Sequence, residues 1–515
     1  MKQIRTASIA TLGCKLNQSE SDQMARCLEQ AGVILVPFGQ PADLCVVNSC
    51  TVTHIGDRKS RQLIRQAVRA NPEAFVVVAG CYAEMEAETV SAIEGVGAVL
   101  SNREKDRLVE ALRGRELTVG KDADLTPPAP LPDTGRGEKV PLSPRERARV
   151  RGQSGCCPSS PHPDPLPLGE GVLASPSPRG GGGRGVGSVP RTRAFVKIQE
   201  GCDNYCSYCI VPHARGHRRS RPAADVLAEI RALTAEGRQE VVLTGVNITT
   251  YGRDHSSDPT DQSDQTDSTV RGLGLLRLIK RILAETEIPR IRLSSLQPED
   301  WSPSFYPLWD SGRLCRHLHL SLQSGCGSVL KRMRRRYNVE QYARIVVEAK
   351  QALPGVAITT DVIVGFPGET EDEYRQTEEF LRSVGMAGFH VFKYSPRAGT
   401  PAATMPEQVD PKVKQLRSDR LIALAKECGE RFRAQFVGAQ LSVLWEEPLP
   451  HGDARKLDLP SSDRPRWSGL SDNYVRVYAT GLDGLAGQIT SARVVRLAGE
   501  GVVASIGGEY GLHLR

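Results

Sequence analysis

Cys202, Cys206 and Cys209 share one short loop, Glu200-Gly201-Cys202-Asp203-Asn204-Tyr205-Cys206-Ser207-Tyr208-Cys209. Three thiolates spaced so tightly can hold three irons of a cubic 4Fe-4S cluster, which leaves the fourth iron without a protein ligand. An open iron can bind and reduce a small molecule. The competing reading is a structural zinc knuckle. Zinc wants a fourth nitrogen or sulfur ligand nearby, and although His213 and His217 follow, Ile210-Val211-Pro212 separates the first of them in an apolar stretch.

Three further cysteines each end a short apolar run: Cys14 after Ser8 to Gly13, Cys50 after Leu44 to Ser49, and Cys81 after Phe75 to Gly80. Helical patterns at Glu20 to Ala31, Arg58 to Ala70 and Glu84 to Glu94 intervene, so the segment reads as alternating strands and helices around a parallel sheet. Ligands gather outside the carboxyl ends of such strands, which would bring Cys14, Cys50 and Cys81 together. Disulfides would use them in pairs, but no secretory signal precedes them, and thirteen cysteines scattered over 515 residues suit a reducing compartment. Cys27 and Cys45 fall inside a helix pattern and a strand, where they read as apolar filling.

A chain of 515 residues is too long for one core, and two or three domains are expected. The net charge of +7 is mild but concentrated in Arg215-Gly216-His217-Arg218-Arg219-Ser220-Arg221 and Lys331-Arg332-Met333-Arg334-Arg335-Arg336. Such runs are commonly solvated faces; flanking a cluster loop, they suit a polyanionic substrate. No stretch is apolar enough to cross a membrane, and the run before Thr11-Leu12-Gly13-Cys14 is too short for a lipoprotein signal, so a cytoplasmic location is expected.

Lys121 to Pro190 loses all periodicity in favour of proline and glycine, and reads as a disordered linker carrying Cys156 and Cys157. Asp254 to Thr269 reads as a second, flexible insertion. From Arg193 strands and helices alternate again. Strands are expected at Ala194 to Ile198, Glu240 to Thr244, Arg290 to Ser294, His317 to Leu322, Ala357 to Val364 and Gly388 to Tyr394, with helices at Ala224 to Glu236, Leu273 to Thr286, Val339 to Ala352 and Glu371 to Val384. Six such repeats fit a partial barrel of parallel strands with its site at their carboxyl ends. Those ends supply the polar groups of a cofactor pocket: Gly245 and Asn247, Ser321 and Gln323, Asp361 and Gly365. Beyond Val437, short strands at Leu441 to Glu446, Asn473 to Tyr478 and Val494 to Leu497 suggest a small β-barrel. Barrels of this kind bind single strands through basic and aromatic surfaces, for which Trp467, Tyr474, Arg476 and Arg496 are candidates; Trp467 and Tyr474 could equally be core residues.

The CxxxCxxC loop resembles the signature of the radical S-adenosylmethionine (SAM) enzymes. The ordered regions together resemble the radical SAM methylthiotransferase family: an amino-terminal three-cysteine α/β domain over 1–120, a partial (β/α)6 radical SAM barrel over 191–436, and a TRAM β-barrel over 437–505. Thr11-Leu12-Gly13-Cys14-Lys15-Leu16-Asn17-Gln18-Ser19-Glu20-Ser21, Asn48-Ser49-Cys50-Thr51-Val52-Thr53 and Leu320-Ser321-Leu322-Gln323-Ser324-Gly325 are most similar to the branch that modifies N6-threonylcarbamoyladenosine 37, beside the anticodon of tRNA.

The resemblance implies two 4Fe-4S clusters and SAM as cofactors. Cys202, Cys206 and Cys209 would hold the cluster that cleaves SAM to a 5′-deoxyadenosyl radical, and Cys14, Cys50 and Cys81 an auxiliary cluster carrying the sulfur that is methylated and inserted at C2 of the adenine. Tyr208 joins Gly245, Asn247, Ser321, Gln323, Asp361 and Gly365 as the expected cofactor contacts. Arg215, Arg218, Arg219, Arg334, Arg335, Trp467, Tyr474 and Arg476 are the expected RNA contacts. A tRNA anticodon loop is the implied partner, with flavodoxin or ferredoxin as electron donor, and neither DNA nor membrane is expected. Competing substrates are N6-isopentenyladenosine 37 and a ribosomal protein side chain; a non-catalytic iron-sulfur RNA-binding protein is the reading from another class.

Overall fold

The computed structural model describes residues 3–115, 117–120, 184–186, 192–254, 273–450, 457, 459, 464–481 and 483–507. Apart from Asp254 and Arg184–Val186, the expected linker and insertion, Cys156 and Cys157 included, lie outside them.

The amino-terminal sheet runs in the order Ile34–Leu35, Thr6–Thr11, Leu44–Ser49, Phe75–Gly80, Val96–Val99, all parallel. Arg184–Val186 adds antiparallel to Thr6–Thr11, a strand inside a glycine-rich stretch where no period marked one, because backbone pairing needs no side-chain pattern. Helix His54–Ala70 is capped by Thr53, which accepts from Gly56 N, and buries Leu63, Ile64 and Ala67 on one face. Each such Leu or Ile contributes roughly 1.5–3 kcal/mol. The helix expected over Glu84 to Glu94 breaks at Glu86 into Cys81–Met85 and Ala87–Ser91, since Glu84 and Glu86 to Thr89 are all exposed and offer no apolar stripe.

The second domain is the expected partial barrel. Arg193–Lys197, Glu240–Thr244 and Arg290–Leu293 form one parallel sheet; Ser295–Leu296, His317–Leu320, Ala357–Val364 and Gly388–Lys393 form the next, with only Ser294 between the two. Helices Ala223–Ala235, Leu273–Glu285, Val339–Ala352 and Glu371–Val384 pack Val226, Ile230, Ile279, Ile282, Val346 and Leu381 onto these strands. Capping boxes at Asn338 with Gln341 and at Thr370 with Glu373 start the last two.

A partial barrel leaves two strand edges. Helix Lys15–Gln30 of the first domain covers one of them: Ser19 Oγ donates to Phe195 O at 2.9 Å and accepts from Lys197 N at 3.0 Å. The start of this helix is thereby set at the side opening of the barrel.

Helix Pro411–Ala434 leads into a closed five-stranded barrel, ordered Gln440–Pro448, Arg466–Ser471, Arg476–Thr480, Gly501–Ile506, Ile489–Ala498. Asn473 and Tyr474 form a turn rather than a strand, with Tyr474 at φ 65. The small barrel docks on the amino ends of the large barrel's strands: Arg292 Nη1 donates to Asp472 O at 3.1 Å, Arg290 Nη2 to Ser442 Oγ at 2.6 Å, and Arg193 Nε to Glu446 Oε1 at 2.6 Å. Among the described residues no helix is long and apolar enough to cross a membrane.

Candidate functional site

Parallel strands ending side by side place Cys14, Cys50 and Cys81 at one sheet edge. The three loops are tied tightly. Asn17 Nδ2 donates to Leu12 O and to Ser49 O, each at 2.9 Å, and Asn48 Nδ2 donates to Asn17 O at 2.8 Å. Gly80 sits at φ +93, and a Cβ there would lie 2.3 Å from Ser49 O, so the turn that presents Cys81 admits only glycine. Burial, then the Cys81 thiol, push Cys50 up to about 12.

The second trio follows the first barrel strand. Gly201, at φ +70, lets the loop pass against His217 O, where a Cβ would lie 2.0 Å away. Cys202 N donates to Gly216 O at 3.1 Å and Cys209 N to Cys206 O at 3.0 Å. Burial, then the Cys206 thiol, push Cys209 up to about 12. Thiols this crowded become thiolates only against a polycationic partner, which is what an iron core supplies. Among the described residues no three His, Cys, Asp or Glu side chains converge as ligands of one metal ion; a cubane asks instead for thiols that each face an iron of their own.

One arginine donor is set against a sulfur in each trio. Arg335 Nη1 donates to Cys206 Sγ at 3.2 Å, while Nη2 donates to Gln297 Oε1 and the guanidinium lies 4.9 Å from the Tyr337 ring centroid. Arg215 Nε donates to Cys81 Sγ at 3.1 Å, Nη1 to Glu20 Oε1 at 2.7 Å and Glu200 Oε1 at 3.0 Å, and Nη2 to Asn17 Oδ1 at 2.8 Å. Lys105 Nζ donates to Glu20 Oε2 at 2.6 Å, and Lys197 Nζ to Asp106 Oδ1 at 2.8 Å. This buried network joins the two cysteine-bearing domains. None of Glu20, Lys105 or Lys197 was picked out from sequence, and single charges on a helix or strand give no sign of such a role.

The expected cofactor contacts are placed as follows. Gly245 packs so closely that a Cβ would lie 2.7 Å from Gln199 O, and Asn247 N donates to Gln199 Oε1 at 2.9 Å. Gln323, at φ 69, bridges to the neighbouring strand through Asp361 O and Ile363 N, and Ser321 O accepts from the Tyr337 hydroxyl at 2.8 Å. Asp361 Oδ2 meets His319 Nε2 at 3.2 Å. Gly365, at φ +70, packs on the Lys414 stem and donates to Glu369 Oε2 at 2.6 Å. Tyr208 packs beside Met333 and Phe366, where burial pushes its hydroxyl well above the ordinary value. Asn247 Nδ2 and Asp361 Oδ1 are buried without a protein partner. Orphans of this kind ask for a polar ligand, so the strand ends fit a cofactor as rich in polar groups as SAM.

The expected RNA contacts divide. Arg218 and Arg219 keep exposed surface beside Asp203 and Glu200, and Arg334 is exposed. Arg215 is 5% exposed and spent on Cys81, Glu20 and Glu200, and the Arg335 side chain is 3% exposed. Neither offers a guanidinium to phosphate. Arg476 is buried on Glu446 and Ser468 Oγ, and Trp467 is in the core of the small barrel. Tyr474 stacks on His317 at 4.0 Å between ring centroids, closing the junction of the two barrels. These five serve buried ion pairs and packing rather than an exposed surface.

Residues 196–381 match the Radical SAM superfamily, and residues 6–101 match the uncharacterized protein family UPF0004. The chain is 33% identical over 494 residues to the threonylcarbamoyladenosine tRNA methylthiotransferase MtaB of Bacillus subtilis (strain 168), covering 95% of this chain and 94% of that one. It is 32% identical over 506 residues to the protein of the same name from Thermotoga maritima, covering 97% of each. It is also 33% identical over 477 residues to a tRNA-2-methylthio-N(6)-dimethylallyladenosine synthase of Nitratidesulfovibrio vulgaris (strain Hildenborough), covering 90% of each. With that likeness running through both cysteine-bearing domains and the terminal barrel, the chain belongs to the radical SAM tRNA methylthiotransferases, which work with S-adenosylmethionine and 4Fe-4S clusters.

Proposed function

We propose that this enzyme inserts a methylthio group at C2 of N6-threonylcarbamoyladenosine 37 in the anticodon loop of tRNA. The observation that carries the reading is the meeting of the two thiol trios: Arg215, in the helix that follows Cys209, touches Cys81, and Cys14 shares a cavity with Gly245 at the end of a barrel strand. A reaction that cleaves SAM at one cluster and draws sulfur from another needs them this near. The threonylcarbamoyl branch is supported by the names of the Bacillus and Thermotoga relatives and by the Cys14-Lys15-Leu16-Asn17 sequence.

In this reading Cys202, Cys206 and Cys209 hold one cluster and Cys14, Cys50 and Cys81 the other. When bound, these clusters supply the electron that cleaves SAM, delivered by a flavodoxin or ferredoxin, and the sulfur that is methylated. The protein's own part is placement and dryness. Asn247 and Asp361 offer buried polar atoms to the cofactor, Leu318, Leu320 and Val362 back the site with apolar packing that excludes water, and Arg215 and Arg335 fix one sulfur of each trio. Arg218, Arg219 and Arg334 take the RNA backbone, and an anticodon loop gives up a base from its stack at low cost.

Nucleoside mass spectrometry of tRNA from cells with and without the gene tests the reading. A methylthio mass on threonylcarbamoyladenosine that disappears with the gene is the expected result; a loss confined to the dimethylallyl nucleoside would overturn it.

A further inference from the structure

Within the side opening of the large barrel lies a cavity of about 50 Å³, with Cys14 and Lys15 on one side and Ser294, His317, His319 and His390 on the other. Its lining mixes polar and apolar groups, and its free charge is positive. Lys15 Nζ makes no hydrogen bond or ion pair with any described residue, although its charge acts on His317, His390, Asp361 and Tyr474. Asp361, the carboxylate facing it, is held by His319. Ser294 Oγ and His317 Nδ1 are buried and unpartnered. Buried orphans of this kind ask for a polar ligand.

We propose that this cavity receives the polar, anionic end of the N6 substituent on the substrate adenine, with Lys15 pairing its carboxylate and Ser294 and the histidines taking its hydroxyl. The inference rests on the threonylcarbamoyl reading and names the residues that would enforce it. C2, where the sulfur is inserted, and C6, which bears the substituent, flank N1 of the adenine, so the incoming sulfur and the substituent lie within one ring of each other. Lys15 directly follows Cys14. The space holds a few water-sized groups, enough for a carboxylate and a hydroxyl while the base stays outside. A dimethylallyl group placed there would leave the ammonium and the orphaned polar atoms against hydrocarbon.

The test is anaerobic binding, by fluorescence anisotropy with reconstituted enzyme and SAM, to anticodon stem-loops bearing adenosine, N6-threonylcarbamoyladenosine, its methyl ester, or N6-dimethylallyladenosine at position 37. The expected result is a preference for the threonylcarbamoyl loop over the ester and over adenosine of about tenfold. Lys15→Met removes that preference at unchanged iron and sulfide content, Lys15→Arg retains part of it, and Ser294→Ala weakens it. If the wild type shows the preference and both Lys15→Met and Ser294→Ala keep it whole, the subsite is wrong while the substrate reading stands. If the wild type prefers the dimethylallyl loop, the substrate reading fails first.

Discussion

Arg215 Nε donates to Cys81 Sγ at 3.1 Å, although the two residues belong to different domains and stand 134 positions apart. The same guanidinium meets Glu20 and Glu200, whose side chains are 1% and 6% exposed. Removing the cation takes one partner from each of two buried carboxylates, Glu20 keeping Lys105 and Glu200 keeping Arg219, so Arg215→Met should cost about 1.5–3 kcal/mol. Urea titration of the variant should show the loss, and Arg215→Lys, which keeps the charge but not the planar fork, should lose less. An equal loss in Arg215→Lys would mean that packing, not charge pairing, dominates this junction.

The same network sets an acid limit. Burial alone would raise the Glu20 carboxyl, yet Arg215, then Lys105 and Lys197, outweigh it and hold it well below its ordinary 4.5. A carboxyl depressed in the folded chain adds stability that is fully present above 4.5 and is lost as the pH falls from there toward the folded value. The stability gap between wild type and Glu20→Gln, measured by urea titration, should therefore be constant from about pH 6 to 8 and narrow below about 4.5. A gap that holds its size at pH 4 and below would contradict the ion-pair assignment.

The two thiol trios make separable contributions. Alanine at Cys202, Cys206 and Cys209 should leave a protein with about half the iron of the wild type and no 5′-deoxyadenosine release under strong reductant. Alanine at Cys14, Cys50 and Cys81 should halve the iron likewise but preserve SAM cleavage while abolishing methylthio product. Chemical iron analysis with product chromatography distinguishes the two variants. Full iron content in either one would remove its cysteines from the ligand set.

Most of this architecture could be read from the chain because the signals are local. Strands Glu240–Thr244 and Ala357–Val364 and helices Val339–Ala352 and Glu371–Val384 match their periodic patterns end to end. Cys14, Cys50 and Cys81 show because each closes an apolar strand, and Cys202, Cys206 and Cys209 because they share one short loop. Arg215 and Arg335 misled because a basic run looks the same whether it faces solvent or a buried carboxylate, and the partner Glu20 lies 195 residues from Arg215. Strand Arg466–Ser471 was missed since Gly469 interrupts its pattern; a Cβ there would lie 2.6 Å from Val443 Cγ1, so the gap in the pattern is a packing requirement. His317 and His319 did carry a signal, alternate positions of one strand and hence one face toward the lumen. Histidine at two successive inward positions of a barrel strand is a polar lining written into the period of 2.

Arg335 offers the last prediction, on the reducing power of the SAM-cleaving cluster. Its side chain is 3% exposed, its Nη1 donates to Cys206 Sγ at 3.2 Å, and its charge is held in place by Gln297 and the Tyr337 ring. Positive charge and hydrogen bonds at cluster sulfurs stabilise the more negative, reduced state, which raises the potential. Replacing Arg335 by Met removes both while keeping an unbranched apolar stem. The midpoint potential, read by electron paramagnetic resonance in a redox titration, should fall by about 60 mV, the one-electron equivalent of about 1.4 kcal/mol and the scale of one charge-assisted hydrogen bond. SAM cleavage with dithionite should persist while cleavage with a weaker donor drops, because only the second is limited by potential. Arg335→Lys, which keeps the charge but not the planar fork, should fall between the two. An unchanged potential with slower cleavage in both assays would show that Arg335 only shapes the loop around Cys206.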